Sequence, residues 1–148
     1  MLNIIIFIAA FAFMEFVAWF THKYVMHGFL WVLHKDHHIK PGSYSGFFEK
    51  NDYFFIIFAL PAIVLIICGL VFGINPLLFA GAGITLYGFT YFAIHEVIIH
   101  NRLPLKIKFR GKYMTALIRA HQAHHTPKNK DEFMSFGLLI FPKGLQKN

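Results

Sequence analysis

Residues 22–38 read HKYVMHGFLWVLHKDHH, and the histidines of this stretch determine how the rest of the chain is interpreted. They form two motifs, H-x4-H followed by H-x2-H-H. The same motifs recur in the same order as HEVIIH at 95–100 and HQAHH at 121–125. All ten histidines of the chain belong to this repeated pattern. Because a structural histidine usually occurs singly, the pattern indicates a set of metal ligands.

The candidate ligands supply enough nitrogen donors for two metal ions. Imidazole suits iron, zinc, copper and nickel, and the single cysteine, Cys68, leaves no thiolate cluster to compete. One ion binds about four to six ligands, so ten nitrogens suit two ions with about five ligands each. The predicted ligands are His22, His27, His34, His37, His38, His95, His100, His121, His124 and His125.

The H-x2-H-H motifs place their histidines at positions i, i+3 and i+4, which share one face of a helix. We therefore expect His34, His37 and His38 to converge. The histidines of HQAHH should converge in the same way at the end of a helix over 113–125.

The H-x4-H motifs require a different local structure. Residues five apart lie about 140° from each other around an ideal helix, so His22 and His27 would point in different directions. They can share one metal cluster if the helix contains a π-bulge or ends between them. Gly28 favours a break in the helix at this point.

The composition indicates a membrane protein. Hydrophobic residues make up 57% of the 148 residues and charged residues only 14%, against about 25% charged residues in a typical soluble domain. The mean hydropathy is +0.54. We expect one domain over residues 1–148.

Three segments are long and apolar enough to cross a membrane, namely 2–21, 53–73 and 77–97. The predicted fold class is therefore all-α, an integral membrane helical bundle with about three to four membrane helices and a cytoplasmic histidine-rich cap. Small residues in the third segment predict close helix approach, and these are Gly81, Ala82, Gly83 and Gly88. Residues 39–52 and 101–112 are predicted to be loops.

The charges predict the orientation of the chain. All fourteen Lys and Arg residues lie within 23–50 or 102–147, so the positive-inside rule places both histidine sets on the cytoplasmic side of a bacterial inner membrane. The net charge of +7 could suggest nucleic acid. Its distribution instead favours a membrane face, and no nucleic-acid partner is expected.

Three carboxylates call for an explanation. Glu15 lies inside the first apolar segment, seven residues before His22 and on roughly the same helix face, where it could accept a hydrogen bond from that imidazole. Alternatively, a protonated Glu15 could face a polar pocket. Asp36 and Glu96 each occur in only one histidine set, so we expect them to hydrogen-bond to a ligand or to lie on the surface.

The C-terminal segment contains an apolar patch at 133–141, which is too short to span a membrane. We expect it to lie at the interface or to pack on the histidine site.

The chain resembles a known family over almost its whole length. The matching motifs are EFVAW at 15–19, HKYVMHG at 22–28, HKDHH at 34–38, ND at 51–52, GITLYG at 83–88, HEVIIHNR at 95–102, AHQAHH at 120–125 and SFG at 135–137. This pattern resembles the membrane fatty acid hydroxylase superfamily and, within it, the bacterial β-carotene hydroxylases. The chain departs from the family's pattern at Glu96, where Asp is expected, and at Asn101, where Gln is expected. Neither residue is an expected ligand.

The resemblance implies a non-haem di-iron enzyme with two Fe²⁺ ions and O2 as co-substrate. It implies that reduced ferredoxin or a similar donor supplies electrons. The implied substrate is β-carotene, hydroxylated at C3 of each β-ionone ring to give zeaxanthin through cryptoxanthin. The substrate and the surrounding membrane lipid are the expected apolar partners.

Other readings of the histidines remain open. A carotenoid ketolase, a lipid desaturase or a sterol-type hydroxylase could use the same histidine-bound metals. A metal transporter or metal-storing protein would also collect histidines, but it needs polar groups in the midplane of several spans. Glu15 alone is clearly ionisable within a span of this chain.

The basic residues after the third span have two interpretations. Lys106, Lys108, Arg110 and Lys112 would attract anionic lipid headgroups. They could also steer an acidic ferredoxin to the site.

Overall fold

The computed structural model describes residues 1–38, 48–103, 105, 111–126 and 134–142. All regular structure in these ranges is helical, which confirms the predicted all-α class. Helix α1 (Leu2–Phe20) continues as a π-helix over Thr21–Phe29 and is followed by the short α2 (Trp31–His34). After a 3₁₀ turn at Lys50–Asp52 come α3 (Tyr53–Val71), then α4 (Asn75–Tyr91) with a π-helical continuation over Phe92–Ile99, and finally α5 (Lys112–His125).

Three of the continuous helical segments are long and apolar enough to cross a membrane. They cover Leu2–Phe29, Lys50–Val71 and Asn75–Ile99, in agreement with the three predicted spans. Many large apolar side chains on these segments face outward, for example Ile8 and Leu70, which are 59% and 65% exposed. Such a surface is stable against hydrocarbon rather than water, so the chain is a membrane protein.

Helix α4 packs against both other spans, and glycines make these contacts possible. A Cβ atom on Gly83 would collide with the carbonyl oxygen of Phe7 in α1. A Cβ atom on Gly81 would lie 2.9 Å from the carbonyl oxygen of Ala62 in α3. The prediction of close helix approach is therefore confirmed at these two glycines.

The same prediction is wrong for Gly88. A Cβ atom at this position would meet no atom within 4 Å among the residues that the structure describes. The reason is that Gly88 faces an open groove between the spans rather than a neighbouring helix.

The remaining elements gather where α1 and α4 end. The buried face of α5 packs with Phe141 of the C-terminal segment, together with Ile94 and Ile99. The described part of the predicted apolar patch therefore packs on the histidine site, one of the two expected locations. Parts of three other predictions lie outside the described residues, namely 39–47, Pro104 and 106–110 of the two predicted loops, and Phe133 of the apolar patch.

The glycine contacts lead to a stability prediction. Replacing Gly83→Ala should lower the free energy of unfolding by about 1–3 kcal/mol, because the added methyl group overpacks the α1–α4 interface. The matched control is Gly88→Ala on the same helix, which should be as stable as the wild type or slightly more stable because alanine favours helix. Thermal unfolding in detergent would measure both. Equal midpoints for the two variants would contradict the packing described here.

Candidate metal centre

The histidines form two adjacent groups. In the first set the candidate ligand nitrogens lie within 4.8 Å of one another, and its members are His22, His27, His34, His38 and His124. The second set meets the same criterion and consists of His37, His100, His121 and His125. His95 lies beside the second set, with its Nε2 atom 3.3 Å from Nε2 of His37 and its ring centroid 4.6 Å from that of His121. All ten predicted ligands therefore lie at one site, five around each position.

The π-helices explain how each H-x4-H motif contributes both of its histidines to one set. The backbone N–H of His100 donates to the carbonyl oxygen of His95 at 3.0 Å, the i to i+5 hydrogen bond of a π-helix. This wider turn brings residues five apart onto one side, and the ring centroids of His22 and His27 are 5.1 Å apart. Gly28 then leaves the helical conformation with φ −97° and ψ −124°. The structure thus selects the π-bulge from the two alternatives for the H-x4-H motif, and it confirms the predicted break near Gly28.

Each H-x2-H-H motif divides between the two sets. His34 and His38 belong to the first set, whereas His37 belongs to the second. The expectation that these three converge is therefore wrong. His37 and His38 lie beyond the end of α2, where each backbone N–H bonds to the carbonyl oxygen three residues earlier instead of four, so these rings do not follow one face of a regular α-helix.

The HQAHH motif divides in the same way but in the opposite direction. His121 and His125 belong to the second set and His124 to the first, so the expected convergence of these three histidines is also wrong. Each half of the chain thus gives one histidine to the set formed mainly by the other half.

Oxygen acceptors hold several imidazoles in one tautomer. Carbonyl and carboxylate oxygens only accept hydrogen bonds, so a ring nitrogen facing one of them must carry the proton. These contacts run from Nδ1 of His22 to Phe136 O (2.9 Å), His34 to Asn51 Oδ1 (2.7 Å), His37 to Glu49 Oε2 (3.1 Å), His95 to Glu96 Oε1 (2.7 Å) and His124 to Met134 O (2.9 Å). In the neutral form of each of these rings, Nε2 is therefore unprotonated and its lone pair is available to a metal.

The unprotonated Nε2 atoms of these rings face each other in two pairs. The Nε2 atoms of His22 and His34 are 3.1 Å apart, and those of His37 and His95 are 3.3 Å apart. Two unprotonated nitrogens cannot hydrogen-bond to each other, so each pair is suited to a shared cation. Two imidazole nitrogens bound to one metal at about 2.1 Å and at right angles would lie about 3.0 Å apart. The donor set therefore fits a transition-metal ion in each set.

Protonation of the imidazoles cannot take the place of a metal ion at neutral pH, because their pKa values are low. Burial lowers the pKa of His34 to about 4 and that of His124 to about 4. Burial and the neighbouring His95 lower the pKa of His100 to about 3. At neutral pH these rings are neutral, which is the state in which imidazole binds a metal.

Glu96 is the buried end of a chain of ion pairs. It is 1% exposed, accepts the Nδ1 proton of His95 and also accepts from Arg102 Nη1 at 3.0 Å. Arg102 in turn donates from Nη1 to Asp52 Oδ1 at 2.6 Å, and this hydrogen bond raises the pKa of the guanidinium. Glu96 thus takes the ligand-bonding role of the two that were expected.

Asp36 takes neither expected role. It is buried, and its Oδ2 atom accepts a hydrogen bond from the backbone N–H of Lys50 at 2.7 Å. This contact anchors the 3₁₀ turn that carries Asn51, the acceptor for His34.

Glu15 does not hold His22, so that expectation is wrong. Its Oε1 atom accepts from the backbone N–H groups of Leu139 and Ile140, both at 2.9 Å. Its Oε2 atom accepts from the hydroxyl of Tyr87 at 2.8 Å. The physical reason is distance, because seven helical residues place Glu15 about 10 Å below His22 along the helix.

The C-terminal segment 134–142 supplies contacts that sequence reasoning missed. Its backbone carbonyls at Met134 and Phe136 accept from His124 and His22, and the Phe136 ring lies 5.3 Å from that of His27. Backbone acceptors carry no side-chain signal. The motifs ND at 51–52 and SFG at 135–137 marked these places without indicating their roles.

A groove leads from the first set into the apolar part of the bundle. Its volume is about 1020 Å³, comparable with the largest small-molecule sites. His22 and Met26 lie along its wall, and the spans contribute mainly apolar and aromatic side chains, among them Phe55, Phe58 and Tyr91. A long apolar molecule could reach the histidines through it. A second cavity of about 10 Å³, the size of one water, lies against His22, His95 and His121.

Comparison with known proteins identifies related sequences. The Fatty acid hydroxylase family matches residues 7–141. A β-carotene hydroxylase of Pantoea ananas is 41% identical over 129 residues, covering 87% of this chain and 71% of the relative. A β-carotene hydroxylase of Pseudescherichia vulneris is 39% identical over 143 residues, covering 97% and 79%.

A plant relative is also similar. The chloroplastic β-carotene 3-hydroxylase 2 of Arabidopsis thaliana is 38% identical over 143 residues, covering 90% of this chain and 44% of the relative. No solved structure gives a significant match.

The tautomer argument leads to a prediction at Asn51. Replacing Asn51→Leu removes the acceptor that holds His34, and metal affinity should fall by about 10–100-fold. Titration of metal-depleted protein with Fe²⁺ or Zn²⁺ would measure the change. Asn75→Leu, at the opposite end of the bundle, is the control and should bind as the wild type does. Unchanged affinity in Asn51→Leu would contradict the role of this hydrogen bond.

Proposed function

Because this chain belongs to the fatty acid hydroxylase family, we propose that it is a β-carotene 3-hydroxylase. The family and the histidine sets fit a metal-dependent hydroxylase. The proposed reaction replaces the C3–H bond of each β-ionone ring by C3–OH and gives zeaxanthin through cryptoxanthin. One atom of O2 enters the product, and the other leaves as water with two electrons and two protons. Reduced ferredoxin or a similar donor supplies the electrons.

One observation carries this proposal. The apolar groove reaches His22, a member of the first histidine set. An apolar ring at that place would lie beside the imidazoles while the rest of the molecule remains among the spans. The names of the bacterial relatives indicate that the proposed substrate is a carotenoid.

We assign one iron ion to the first set and one to the second set together with His95. When bound, the two Fe²⁺ ions supply activation of O2 toward an unactivated C–H bond. The residues of this chain prepare the site for that chemistry. Asn51 and the Phe136 carbonyl keep Nδ1 protonated and Nε2 available on His34 and His22.

The carboxylates Glu49 and Glu96 do the same for His37 and His95, and a carboxylate acceptor also raises the basicity of the ligand nitrogen. The apolar side chains of the groove exclude water and limit the orientations of the ring, so that C3 can face the metals.

The proposal is tested in bacterial cells that accumulate β-carotene. Expression of this chain should convert β-carotene to cryptoxanthin and zeaxanthin, measured by pigment chromatography and mass spectrometry. Ketone products would indicate a ketolase, and additional double bonds would indicate a desaturase. Unchanged β-carotene in cells that contain the metal-loaded protein and a functioning ferredoxin system would refute the proposed substrate.

The histidine assignment predicts the behaviour of single variants. The iron-loaded protein should hold two irons per chain. Replacing any one of His34, His37, His121 or His124 by Ala should abolish hydroxylation. Gln122→Ala, an exposed neighbour on the same helix, should retain activity and iron. Full activity after two histidine replacements would contradict the assignment.

We further propose that the chain lies in the bacterial inner membrane with both histidine sets on the cytoplasmic side. The asymmetric distribution of Lys and Arg supports this orientation. It would also expose the site to a soluble electron donor. Of the basic residues that could steer such a donor, Lys112 begins α5, and Lys106, Lys108 and Arg110 lie outside the described residues.

Cysteine labelling tests the orientation. In a Cys68→Ala background, Asn75→Cys should react with a membrane-impermeant maleimide in intact cells. Lys112→Cys should react only after the cells are opened, because it lies at the other end of the bundle. Mass spectrometry of the purified protein would detect the label. Labelling of Lys112→Cys in intact cells would contradict the cytoplasmic placement.

A further inference from the structure

Gly88 occupies a distinctive place in the groove. It lies on the face of α4 that also carries Ile84 and Tyr91, and all three line the groove. The Tyr91 ring in turn lies 4.7 Å from that of His95 between centroids, so this face leads to the histidine site.

Packing does not explain why this position is a glycine. Gly81 and Gly83 on the same helix are in contact with α3 and α1, where a Cβ atom would collide with backbone oxygens. At Gly88 a Cβ atom would meet nothing within 4 Å among the described residues, and the φ angle is not in the left-handed region. Neither helix contact nor backbone conformation therefore requires glycine, whereas the width of the groove depends directly on it.

Small residues from the other two spans accompany it. Ala18 of α1 and Ala59 of α3 also line the groove. Aromatic side chains line the groove as well, and Phe55 lies 6.4 Å from Tyr91 between ring centroids. The lining of the groove therefore combines small side chains with aromatic ones.

We propose that Gly88 is a specificity-determining residue that keeps the groove open for the polyene chain behind the reacting ring. This inference rests on the proposed function. Gly88 is seven residues from His95, about 10 Å along the helix. A ring whose C3 lies at the histidines would leave its conjugated chain, rather than the ring itself, at the level of Gly88. A bulky side chain there should exclude long substrates and still admit short ones.

The test compares two substrates that share the same ring. β-Carotene carries the full polyene, and β-ionone carries the ring on a four-carbon side chain. The variant is Gly88→Phe, and the matched control is Leu86→Phe, which adds the same ring at a position 45% exposed on the outside of α4. Purified, iron-loaded proteins in detergent are supplied with reduced ferredoxin and O2.

The expected result is selective loss. Turnover of β-carotene by Gly88→Phe should fall by about tenfold or more, because steric exclusion of even small groups from a pocket can reach that size. Turnover of β-ionone should stay within about twofold of the wild type, and Leu86→Phe should resemble the wild type on both substrates. Binding of β-carotene, measured by the circular dichroism that a chiral site induces in the polyene absorption, should be lost only in Gly88→Phe.

Other outcomes separate this inference from the proposed function. If Gly88→Phe hydroxylates and binds β-carotene like the wild type, the inference is wrong and the proposed function stands. If it loses both substrates while retaining iron, Gly88 contacts the ring itself and the inference is also wrong. If the wild type hydroxylates neither substrate, the proposed function fails first.

A series of smaller substitutions at Gly88 tests the inference even if Gly88→Phe does not fold. Gly88→Ala and Gly88→Val add less volume, and their iron content and thermal unfolding report whether they fold. In the folded members, the ratio of β-carotene to β-ionone turnover should fall steadily with side-chain volume. A constant ratio across this series would overturn the inference even if Gly88→Phe does not fold.

Discussion

The structure depends on the need to place a cation between unprotonated imidazole nitrogens. His22 and His34 approach to 3.1 Å through Nε2 atoms whose Nδ1 partners already carry the ring protons. This arrangement is repulsive until a metal occupies it, and burial prevents protonation from relieving it. Metal binding should therefore contribute directly to the stability of the cap, as in other proteins whose binding sites form only on folding. The helices, the 3₁₀ turn and the C-terminal segment all supply groups that hold these rings in place.

The two sets are linked because each depends on both halves of the chain. His37 joins the set built mainly from the second half, and His124 joins the set built mainly from the first. Neither half can complete its own set alone. The exchange also ties α5 to the end of α1, so the relative position of these elements is determined by ligand geometry as well as by apolar packing.

The membrane spans have separate packing and binding surfaces. One part of α4 is bound closely to its neighbours through Gly81 and Gly83, and another part faces the groove at Gly88. Glu15 connects the bundle to the cap, since it accepts from Tyr87 in α4 and from the backbone of Leu139 and Ile140. The Phe136 carbonyl in that same segment orients His22. A carboxylate inside a span thus stabilises the site indirectly, by positioning the segment that covers it.

The sequence by itself determined the spans and the repeated histidine pattern, and it restricted each H-x4-H motif to a π-bulge or a helix end. These features depend on local properties, namely the length of apolar segments, the side-chain type and the angular spacing of neighbours. Only the tertiary structure decided the division of His34, His37 and His38 between two positions and the true partners of Glu15. It also decided which glycine faces open space. Motif spacing gives the direction of a side chain relative to its own helix, but not the place of that helix among the others. Backbone acceptors such as the Phe136 carbonyl are present at every residue, so only long-range packing determines which one meets an imidazole.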